Sequence, residues 1–407
     1  MIYKYIIFFE ICIGVCKKMN KIVDLFSGCG GMSLGFQNAG FEIIGAFELW
    51  EAAAKCYERN FNHPLFRTDL SNVEAAVKTI KCLSPDIIIG GPPCQDFSHA
   101  GKRIEAGRAS LTSAYSEIIS RILPSYFVME NVDRAQKSNA YAQARNNFKN
   151  AGYGLTEIVL DASHCGIPQK RKRFFCIGAL NQSDDFLTDS LLSRVSEKET
   201  TLRDYFGDGL DFEFYYRHPR NYSRRAIFSI DEPAPTMRGV NRPVPKGYPG
   251  NPNDACKLND SLRALTTIER SLIQTFPPEY KWLGNKTDME QMIGNAVPVK
   301  LAEFVASSLN QWILSKQERI LLDSSKLTAW LVDVNEYTKR SATDIVSRIR
   351  RADSIMHIDS VPDSFYIYKL EQTKEYQSIS TSVRSQIKKA ITLYSNYCNT
   401  YTANTTS

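Results

Sequence analysis

The sequence predicts an α/β protein built on a doubly wound, mostly parallel β-sheet. Three observations support this prediction. β-rich runs alternate with helical patterns from residue 21 to 180, the predicted strand at 86–89 is continuously apolar, and a glycine-rich turn follows the first strand. Repeated strand–helix units favour a parallel sheet, and such sheets bind ligands beyond the carboxyl ends of their strands.

The elements of this region follow one another in a regular order. Alternating or continuous apolar runs predict strands at 21–25, 41–47, 86–89, 126–129, 153–160 and 173–177. Apolar residues at helical spacing predict helices at 32–39, 51–61, 73–82, 115–123 and 140–151. Residues 95–112 are polar, contain glycine and show no periodicity, which predicts a long loop.

The pattern changes after residue 180. Residues 181–260 are rich in Pro, Gly, Asp and Arg and lack a long apolar period, which predicts a small separate domain of loops and short strands. Helices are predicted at 267–274 and 299–311. The remainder has a helical pattern and ends in a Thr/Asn-rich tail for which we expect disorder.

The first 19 residues stand apart from this pattern. Residues 2–15 are apolar but include Lys4 and Glu10, and the run is shorter than the roughly 18 to 20 residues that span a bilayer. The run also lacks the small-residue cleavage site of a secretory signal. We treat it as an extension of uncertain status, with translation starting at either Met1 or Met19.

Composition excludes several classes of protein. The chain has 407 residues, of which 43% are hydrophobic and 23% charged, which rules out wholesale disorder, a collagen-like fibre and a multi-span membrane protein. The formal charge of +6 is too small to indicate a nucleic-acid partner by itself. Ten cysteines without a CxxC pair argue against a zinc site and favour reduced thiols in the cytoplasm, so we expect no bound metal.

The first candidate site is the segment DLFSGCGGMSLGF at 24–36. Its glycines let the backbone approach a ligand and present amides at a helix N-terminus. Glu48 follows near the end of the next strand, where an acidic side chain suits ribose hydroxyls. An adenosine-containing cofactor is therefore favoured over a bare phosphate. The alternative is that the glycines only turn the chain and that Glu48 only faces solvent.

The second candidate is Cys94 in the segment GGPPCQDFSHAG. Two prolines hold the backbone stiffly after a hydrophobic strand, at the sheet edge where a reactive group faces a ligand crevice. A cysteine in this position is a candidate nucleophile. The alternative is a buried cysteine that only packs, as others in the chain are expected to do.

Two further segments place charged groups beside the same crevice. Glu130 in FVMENV ends another buried strand, and a carboxyl group in an apolar site is protonated more readily than in water. In QKRKRF, alternation places Arg171 and Arg173 on one face of an incoming strand, so that this pair can point into the site. The alternative is that this basic segment only faces solvent and takes no part in the site.

Taken in order, six segments closely resemble the DNA (cytosine-5-)methyltransferases of bacterial restriction-modification systems. They are DLFSGCGG, FELW, GGPPCQDFS, FVMENV, QKRKRF and QMIGNAVP, and they lie between about 20 and 311. The resemblance implies the Rossmann-like fold of S-adenosylmethionine-dependent methyltransferases. It divides the chain into the extension (1–19), a catalytic and cofactor-binding domain (20–180), a target-recognition domain (181–262), a return to the catalytic domain (263–317) and a helical accessory region with a disordered tail (318–407).

The resemblance also implies roles for individual residues. Cys94 would add to C6 of a flipped-out cytosine, Glu130 would engage its N3 edge, and Arg173, with Arg171 nearby, would hold the O2 side. The loop at 95–112 would close over the base. The implied S-adenosylmethionine pocket consists of Phe26, Gly28, Gly30, Glu48, Leu49, Asp69, Leu70, Pro93, Leu111, Asn295 and Val297.

The chain departs from the family pattern at two places. Trp50 stands where the family usually has an acidic residue, two positions after the ribose glutamate. The loop reads Ala106-Gly107-Arg108 where an aspartate usually precedes the loop arginine. The first departure affects the expected details of the adenine and ribose pocket, and the second affects the contacts of the closed loop.

The segment 181–262 lies where the family carries its target-recognition domain. Between residues 217 and 242, six arginines accompany two carboxylates, a local net charge of +4, and aromatic residues are interleaved with them. This pattern suits contact with DNA grooves and phosphates, whereas a solvated loop is the alternative. The predicted DNA-binding residues are Arg217, Arg220, Arg224, Arg225, Thr236, Arg238 and Arg242.

Two other functions stay open from the sequence. A tRNA cytosine-5 methyltransferase would share the catalytic half, although the long Arg-rich segment favours DNA. A catalytically inactive DNA-binding regulator would not need the reactive residues, all of which are present. We expect a monomer in the bacterial cytoplasm, acting on double-stranded DNA, with a cognate restriction endonuclease as a candidate partner.

Overall fold

The computed structural model describes residues 20–93, 111–221, 223–356, 358, 362 and 364–403. The N-terminal extension, Cys94 and residues 95–110 of the predicted loop lie outside these ranges. The chain divides into two compact units, Met1–Asn310 and Gln311–Ser407. Within the described ranges, no helix combines the length and apolar character that a membrane span requires.

The first unit is organised around one twisted sheet. Its strands are β1 (Lys21–Leu25), β2 (Glu42–Phe47), β3 (Leu65–Phe66), β4 (Ile87–Gly90), β5 (Tyr126–Val132), β6 (Tyr153–Asp161), β7 (Gln169–Lys170) and β8 (Lys172–Leu180). Among the described residues, seven of these strands form the sheet in the order β3-β2-β1-β4-β5-β8-β6. β8 runs antiparallel to both of its neighbours, and the other pairs are parallel. The predicted mostly parallel α/β fold is confirmed.

Helices alternate with these strands as the sequence predicts. They are α1 (Gly31–Asn38), α2 (Glu51–Glu58), α3 (Val73–Leu83), α4 (Leu111–Ile122) and α5 (Asn139–Asn150). The apolar faces of α3, α4 and α5 pack with the buried side chains of the central strands in one hydrophobic core that includes Ile88, Tyr115 and Phe127. Residues of α1 and α2 pack in two smaller clusters. The core fixes the strands rigidly, so the residues at their carboxyl ends are held in defined positions.

Two boundaries differ from prediction in ways that affect the site. β5 continues to Val132, past the predicted end at residue 129, because β8 pairs alongside it and opposes Glu130 to Phe175. Glu130 is therefore held inside a strand. α4 begins at Leu111, so the last two residues of the predicted loop are helical.

The described residues of 181–262 form only short elements, as predicted. These are α6 (Thr188–Leu192), α7 (Leu202–Phe206), β9 (Phe214–Tyr216), β10 (Ile227–Ser229) and β11 (Ala234–Pro235). β9 and β10 form an antiparallel pair, whereas β11 pairs in parallel with β7. A hydrophobic cluster that includes Tyr215, Ile230 and Met237 supports the segment. It belongs to the same compact unit as the sheet.

Three helices follow, namely α8 (Thr267–Ile273), α9 (Lys286–Asn295) and α10 (Val299–Asp333). A capping box formed by Thr266 and Glu269 begins α8. We did not predict α9, because it is short, largely polar and contains a glycine near its end. α10 continues well beyond its predicted end at residue 311.

The second unit is helical, comprising the later part of α10 with α11 (Lys339–Ile355), α12 (Ser364–Glu371), α13 (Lys374–Gln377) and α14 (Thr381–Ala403). Its core packs Leu331 of α10, Ile345 of α11 and Ala390 of α14 together. α14 extends into the tail for which we expected disorder, and residues 404–407 lie outside the described part.

Candidate active site

A cleft of about 900 Å³ opens in the first unit beside the carboxyl ends of β1, β2, β4 and β5. This is the edge at which a parallel sheet is expected to bind its ligand. The predicted residues that line it are Phe26, Gly28, Glu48, Leu49, Asp69, Leu70, Pro93, Leu111, Glu130, Arg173, Asn295 and Val297. Gly30 and Arg171 do not line it.

The turn after β1 brings backbone amides to the cleft. Gly28 adopts a positive φ of 55°, and its N–H donates to Oε2 of Glu48 at 2.8 Å. Gly30 serves packing instead, because a Cβ there would collide with the ring of Phe61. The first glycine is thus exposed to a ligand, whereas the second permits close approach of α1 and its neighbours.

Glu48 is held from two sides at the end of β2. Besides the bond from Gly28, its Oε1 accepts the backbone N–H of Trp50 at 2.7 Å. Burial raises the pKa of this carboxyl group, and the backbone donors partly oppose the rise. Leu49 and Trp50 are 58% and 36% exposed, so they add apolar surface beside a firmly oriented carboxyl group.

Glu130 and Arg173 form an ion pair within the cleft. Nε of Arg173 donates to Oε1 of Glu130 at 2.8 Å, and both side chains are largely buried. Burial raises the pKa of Glu130, while the positive charges of Arg173 and Arg171 lower it. The pair therefore combines a carboxyl group that is easier to protonate than usual with an adjacent fixed cation.

Arg171 is placed differently from our expectation. It lies between the end of β7 and the start of β8, and its guanidinium is fully buried. It donates to the carbonyls of Met237 at 3.0 Å, Gly294 at 2.9 Å and Ala296 at 2.9 Å. The break between the two strands interrupts the alternation on which the prediction rested. Arg171 thus ties two distant segments together behind the cleft.

Replacing Arg171 by Met should lower the free energy of unfolding by about 2 to 4 kcal/mol, because three carbonyls lose the donor that Arg171 supplies and only that of Ala296 keeps another side-chain donor, Gln274. It should also loosen the turn that carries Asn295. Lys172→Met is the matched control, since Lys172 is exposed and should change stability by less than about 0.5 kcal/mol. Urea unfolding of both variants measures this difference, and equal stability would contradict the assignment.

Asn131 is a site residue that sequence reasoning missed. Its Nδ2 donates to the carbonyl of Pro92 at 2.9 Å, and its Oδ1 accepts the N–H of Val132 at 2.8 Å. Asn131 lines the cleft and anchors the Pro92-Pro93 turn that precedes Cys94. Its position directly after Glu130 in FVMENV was the available signal.

The arginines between 217 and 242 fall into two groups. Arg217 donates to the carbonyl of Thr236, Arg238 donates to that of His218, and Arg225 pairs with Glu232. These three are committed to the protein itself. The exposed members of the predicted set are Arg220, Arg224 and Arg242.

Thr236 of the predicted DNA-binding set is also engaged inside the protein. Its Oγ1 donates to the carbonyl of Lys170 at 2.7 Å, next to the pairing of β11 with β7. The arginines nevertheless remain close to one another. Burial first, and then the charges of Arg220 and Arg224, lower the pKa of Arg238. The folded chain thus gathers like charges on this segment.

The chain is similar to characterised bacterial enzymes over most of its length. It is 58% identical to the Type II methyltransferase M.HindV of Haemophilus influenzae over 291 residues, which cover 71% of this chain and 96% of that protein. It is 54% identical to the Type II methyltransferase M.HgiDI of Herpetosiphon aurantiacus over 294 residues, covering 72% and 95%. These similarities support the predicted restriction-modification class.

A solved structure and a family model complete the comparison. The S. pombe Dnmt2 methyltransferase shares the fold with a TM-score of 0.55 at 21% identity, covering 73% of this chain and 99% of that one. Residues 20–311 match the model for C-5 cytosine-specific DNA methylases, which confirms the resemblance of the six segments. The chain therefore belongs to the family of C-5 cytosine-specific DNA methylases, which are DNA (cytosine-5-)-methyltransferases.

Proposed function

We propose that this enzyme transfers a methyl group from S-adenosylmethionine to C5 of a flipped-out cytosine within a specific duplex sequence, through a covalent bond between Cys94 and C6. The observation that carries the proposal is the convergence of two sites in one cleft. One site is Glu48, the carboxylate expected to bind ribose hydroxyls, and the other is the buried ion pair of Glu130 and Arg173. Both sites line the same cleft, as does Pro93, the residue before Cys94.

The cleft fits an adenosine-containing cofactor. A Cβ at Gly28 would meet no atom within 4 Å, so the backbone there is open to a ligand. Glu48 uses one position on each oxygen for backbone donors and keeps others for ribose hydroxyls. Leu49 and Trp50 offer apolar surface to a planar base. When bound, S-adenosylmethionine supplies an electrophilic methyl group on a sulfonium.

The catalytic residues overcome the low reactivity of cytosine at C5. The thiolate of Cys94 forms a bond to C6, which places electron density on the ring. Protonated Glu130 donates to N3 and the Arg173 cation stabilises O2 as this charge develops. After C5 has taken the methyl group, its proton leaves, the bond between sulfur and C6 breaks, and the electron pair returns to Cys94.

We assign the catalytic and cofactor-binding domain to 20–180 and 263–317 and the target-recognition domain to 181–262. The charge of this second segment supports DNA binding. Burial first, and then the charges of nearby arginines, lower the pKa of His218 and of Arg238, so several arginines lie close together on this segment. Clustered like charges destabilise a folded protein unless they meet a polyanion, and the phosphate backbone of duplex DNA provides one.

The exposed arginines should carry the phosphate contacts. The triple variant Arg220→Ala, Arg224→Ala, Arg242→Ala should bind duplex DNA more weakly, and the slope of log Kd against log salt should fall by roughly one for each lost contact. Arg225→Ala is the control, because Arg225 is paired with Glu232 and should change stability more than the slope. Fluorescence anisotropy across a salt series measures both. An unchanged slope in the triple variant would remove these residues from the interface.

The helical region 318–407 is proposed as an accessory unit that contacts DNA flanking the recognised site. α11 carries Lys339, Arg340, Arg348, Arg350 and Arg351, and within the described part of the chain none of them forms an ion pair. Lys339 and Arg340 lie in the first turn, where basic residues oppose the helix dipole. A local cost in stability of this kind is consistent with a role in binding.

Removing the basic side chains of α11 should weaken binding to a long duplex more than binding to a short one. The quadruple variant Arg340→Ala, Arg348→Ala, Arg350→Ala, Arg351→Ala should keep wild-type affinity for a duplex limited to the recognised site. It should lose the extra affinity gained when that duplex is extended on both sides. Anisotropy with the two duplexes measures the difference, and an equal gain from extension in both proteins would refute the role.

We further propose that the enzyme acts as a monomer in the bacterial cytoplasm and protects DNA against a cognate restriction endonuclease. The test of the main proposal uses labelled S-adenosylmethionine with duplex DNA and with tRNA. Label recovered as 5-methylcytosine in DNA supports it, whereas label only in tRNA or in neither would overturn it. Bisulfite sequencing of DNA from expressing cells then identifies the recognised sequence.

A further inference from the structure

Two oppositely charged side chains are buried where α8 and α9 meet, and the proposed mechanism uses neither. Arg270 lies on α8 and Glu290 lies on α9, and each residue is 3% exposed. Nη1 of Arg270 pairs with Oε2 of Glu290. Burying two charges costs free energy, and apolar side chains of similar size often hold a fold together equally well. Stability alone therefore does not account for this pair.

The remaining polar atoms of the pair bind the segment 238–242, which belongs to the proposed target-recognition domain. Nη2 of Arg270 donates to the carbonyl of Arg238, at one end of the segment. Nδ2 of Asn241, near the other end, donates to Oε1 of Glu290 at 2.9 Å. Hydrogen bonds to charged groups are stronger than those between neutral groups. A single ion pair thus holds the segment at two points.

The same segment packs directly on the helix that leads to the cleft. A Cβ at Gly294 would collide with the backbone of Arg238 and Gly239. A Cβ at Gly239 would collide with the side chain of Gln291. The two glycines therefore permit a close contact between the segment and α9. Asn295, the next residue of α9, lines the cleft, so the segment is fixed relative to the site of the reaction.

The segment also presents two side chains to solvent. Val240 is 52% exposed although the residues bound by the ion pair lie close to it on both sides, and Arg242 is exposed as well. An apolar side chain can contact a thymine methyl group, and an arginine can bind the edge of guanine. Such contacts distinguish bases only when the side chains are held within about 0.5 Å of the required positions. A buried, charged anchor provides that support.

We propose that Arg270 and Glu290 are positioning residues for target discrimination. The pair fixes the segment 238–242 on α9, so that Val240 and Arg242 meet the DNA in one position. The inference rests on the proposed function, because it takes duplex DNA as the substrate. Removing the pair should leave the fold and the chemical step intact, and it should reduce the preference for the recognised sequence over related ones.

The test replaces both members of the pair, in the double variant Arg270→Met, Glu290→Leu. Because no unpaired charge remains, its midpoint of urea unfolding should stay close to that of wild type. Discrimination is measured as kcat/KM for the recognised duplex, identified by bisulfite sequencing, divided by kcat/KM for a duplex with one changed base pair. This ratio should fall about 10-fold, which lies within the range that one base pair contributes. The single-turnover rate on saturating recognised duplex should stay close to that of wild type.

The matched control is the double variant Arg145→Met, Glu157→Leu, which removes an ion pair between α5 and β6 and should keep the wild-type ratio. An unchanged ratio in the test variant, whether or not its rates fall on both duplexes, would overturn the proposal. If the test variant does not fold, Arg270→Lys decides, because lysine keeps the charge but lacks the planar fork that binds two acceptors. An unchanged ratio in Arg270→Lys would then overturn the proposal. Failure of wild type to methylate any duplex would instead refute the proposed function.

Discussion

Replacing Cys94 by Ala should abolish methyl transfer while leaving the binding of S-adenosylmethionine and DNA intact. The thiolate of Cys94 converts an unreactive ring into a nucleophile. Cys29 also lines the cleft, but burial raises the pKa of its thiol well above the ordinary value and so keeps it protonated. Loss of a covalent catalyst typically lowers the rate by about 10⁴-fold or more. Single-turnover incorporation of labelled methyl groups into duplex DNA measures the loss.

Cys82→Ala is the control for this experiment. Cys82 is an exposed free thiol on α3, outside the cleft, so its removal should leave the rate unchanged. Comparable incorporation by Cys94→Ala and wild type would sink the covalent mechanism. No incorporation by either protein, with DNA binding retained, would favour a regulatory protein instead.

Replacing Glu130 by Gln should lower the rate of transfer by about 10²- to 10⁴-fold. The amide can occupy the same space but cannot hold the acidic proton that stabilises charge at N3. It also leaves the buried Arg173 without its carboxylate partner. The single-turnover rate measures the effect, and the affinity for S-adenosylmethionine should change little.

The control for Glu130→Gln is Glu157→Gln. Glu157 lies on β6 and pairs with Arg145 at 2.8 Å, outside the cleft, so this variant removes an ion pair from the same sheet. Its rate should match wild type. Equal rates for Glu130→Gln and Glu157→Gln would remove Glu130 from the mechanism.

The pH dependence of the transfer rate in Arg173→Met tests the ion pair of Glu130 and Arg173 by removing the cation. Burial raises the pKa of Glu130, and Arg173 is the largest opposing influence. Without Arg173 this pKa should rise further. If the protonated form of Glu130 is the active one, the rate of methyl transfer falls as pH rises through the pKa of Glu130. In the plot of rate against pH, the alkaline limb of Arg173→Met should therefore lie at higher pH than that of wild type. A limb that stays in place or moves to lower pH would contradict this role.

The position of the cleft was predictable from sequence because its residues follow buried strands. Glu48, Pro93 and Glu130 come from segments far apart in the chain, yet the strands that carry them are parallel and end at one edge of the sheet. Once the alternation of strands and helices is recognised, their proximity follows from geometry. Arg173 reaches this edge in another way, because β8 runs antiparallel to β5 and its first residues lie beside the end of β5.

Features that depend on distant partners were not predictable in this way. Arg171 is only two positions from Arg173 in the sequence, but its guanidinium donates to carbonyls of residues more than 60 positions away. Arg217 and Arg238 looked like solvent-exposed DNA contacts, yet carbonyls within their own segment accept their hydrogen bonds. A charge count cannot separate arginines that hold a loop together from those that face solvent.

Covalent trapping tests the central claim most directly. A duplex containing the recognised sequence, with 5-fluorocytosine at the target position, lets the methyl group transfer but prevents loss of a C5 proton. Incubation with enzyme and S-adenosylmethionine should give a protein–DNA complex that survives denaturation and maps by peptide mass to Cys94. It should be absent with Cys94→Ala. If wild type methylates the ordinary duplex at C5 yet forms no such complex, the covalent mechanism is contradicted.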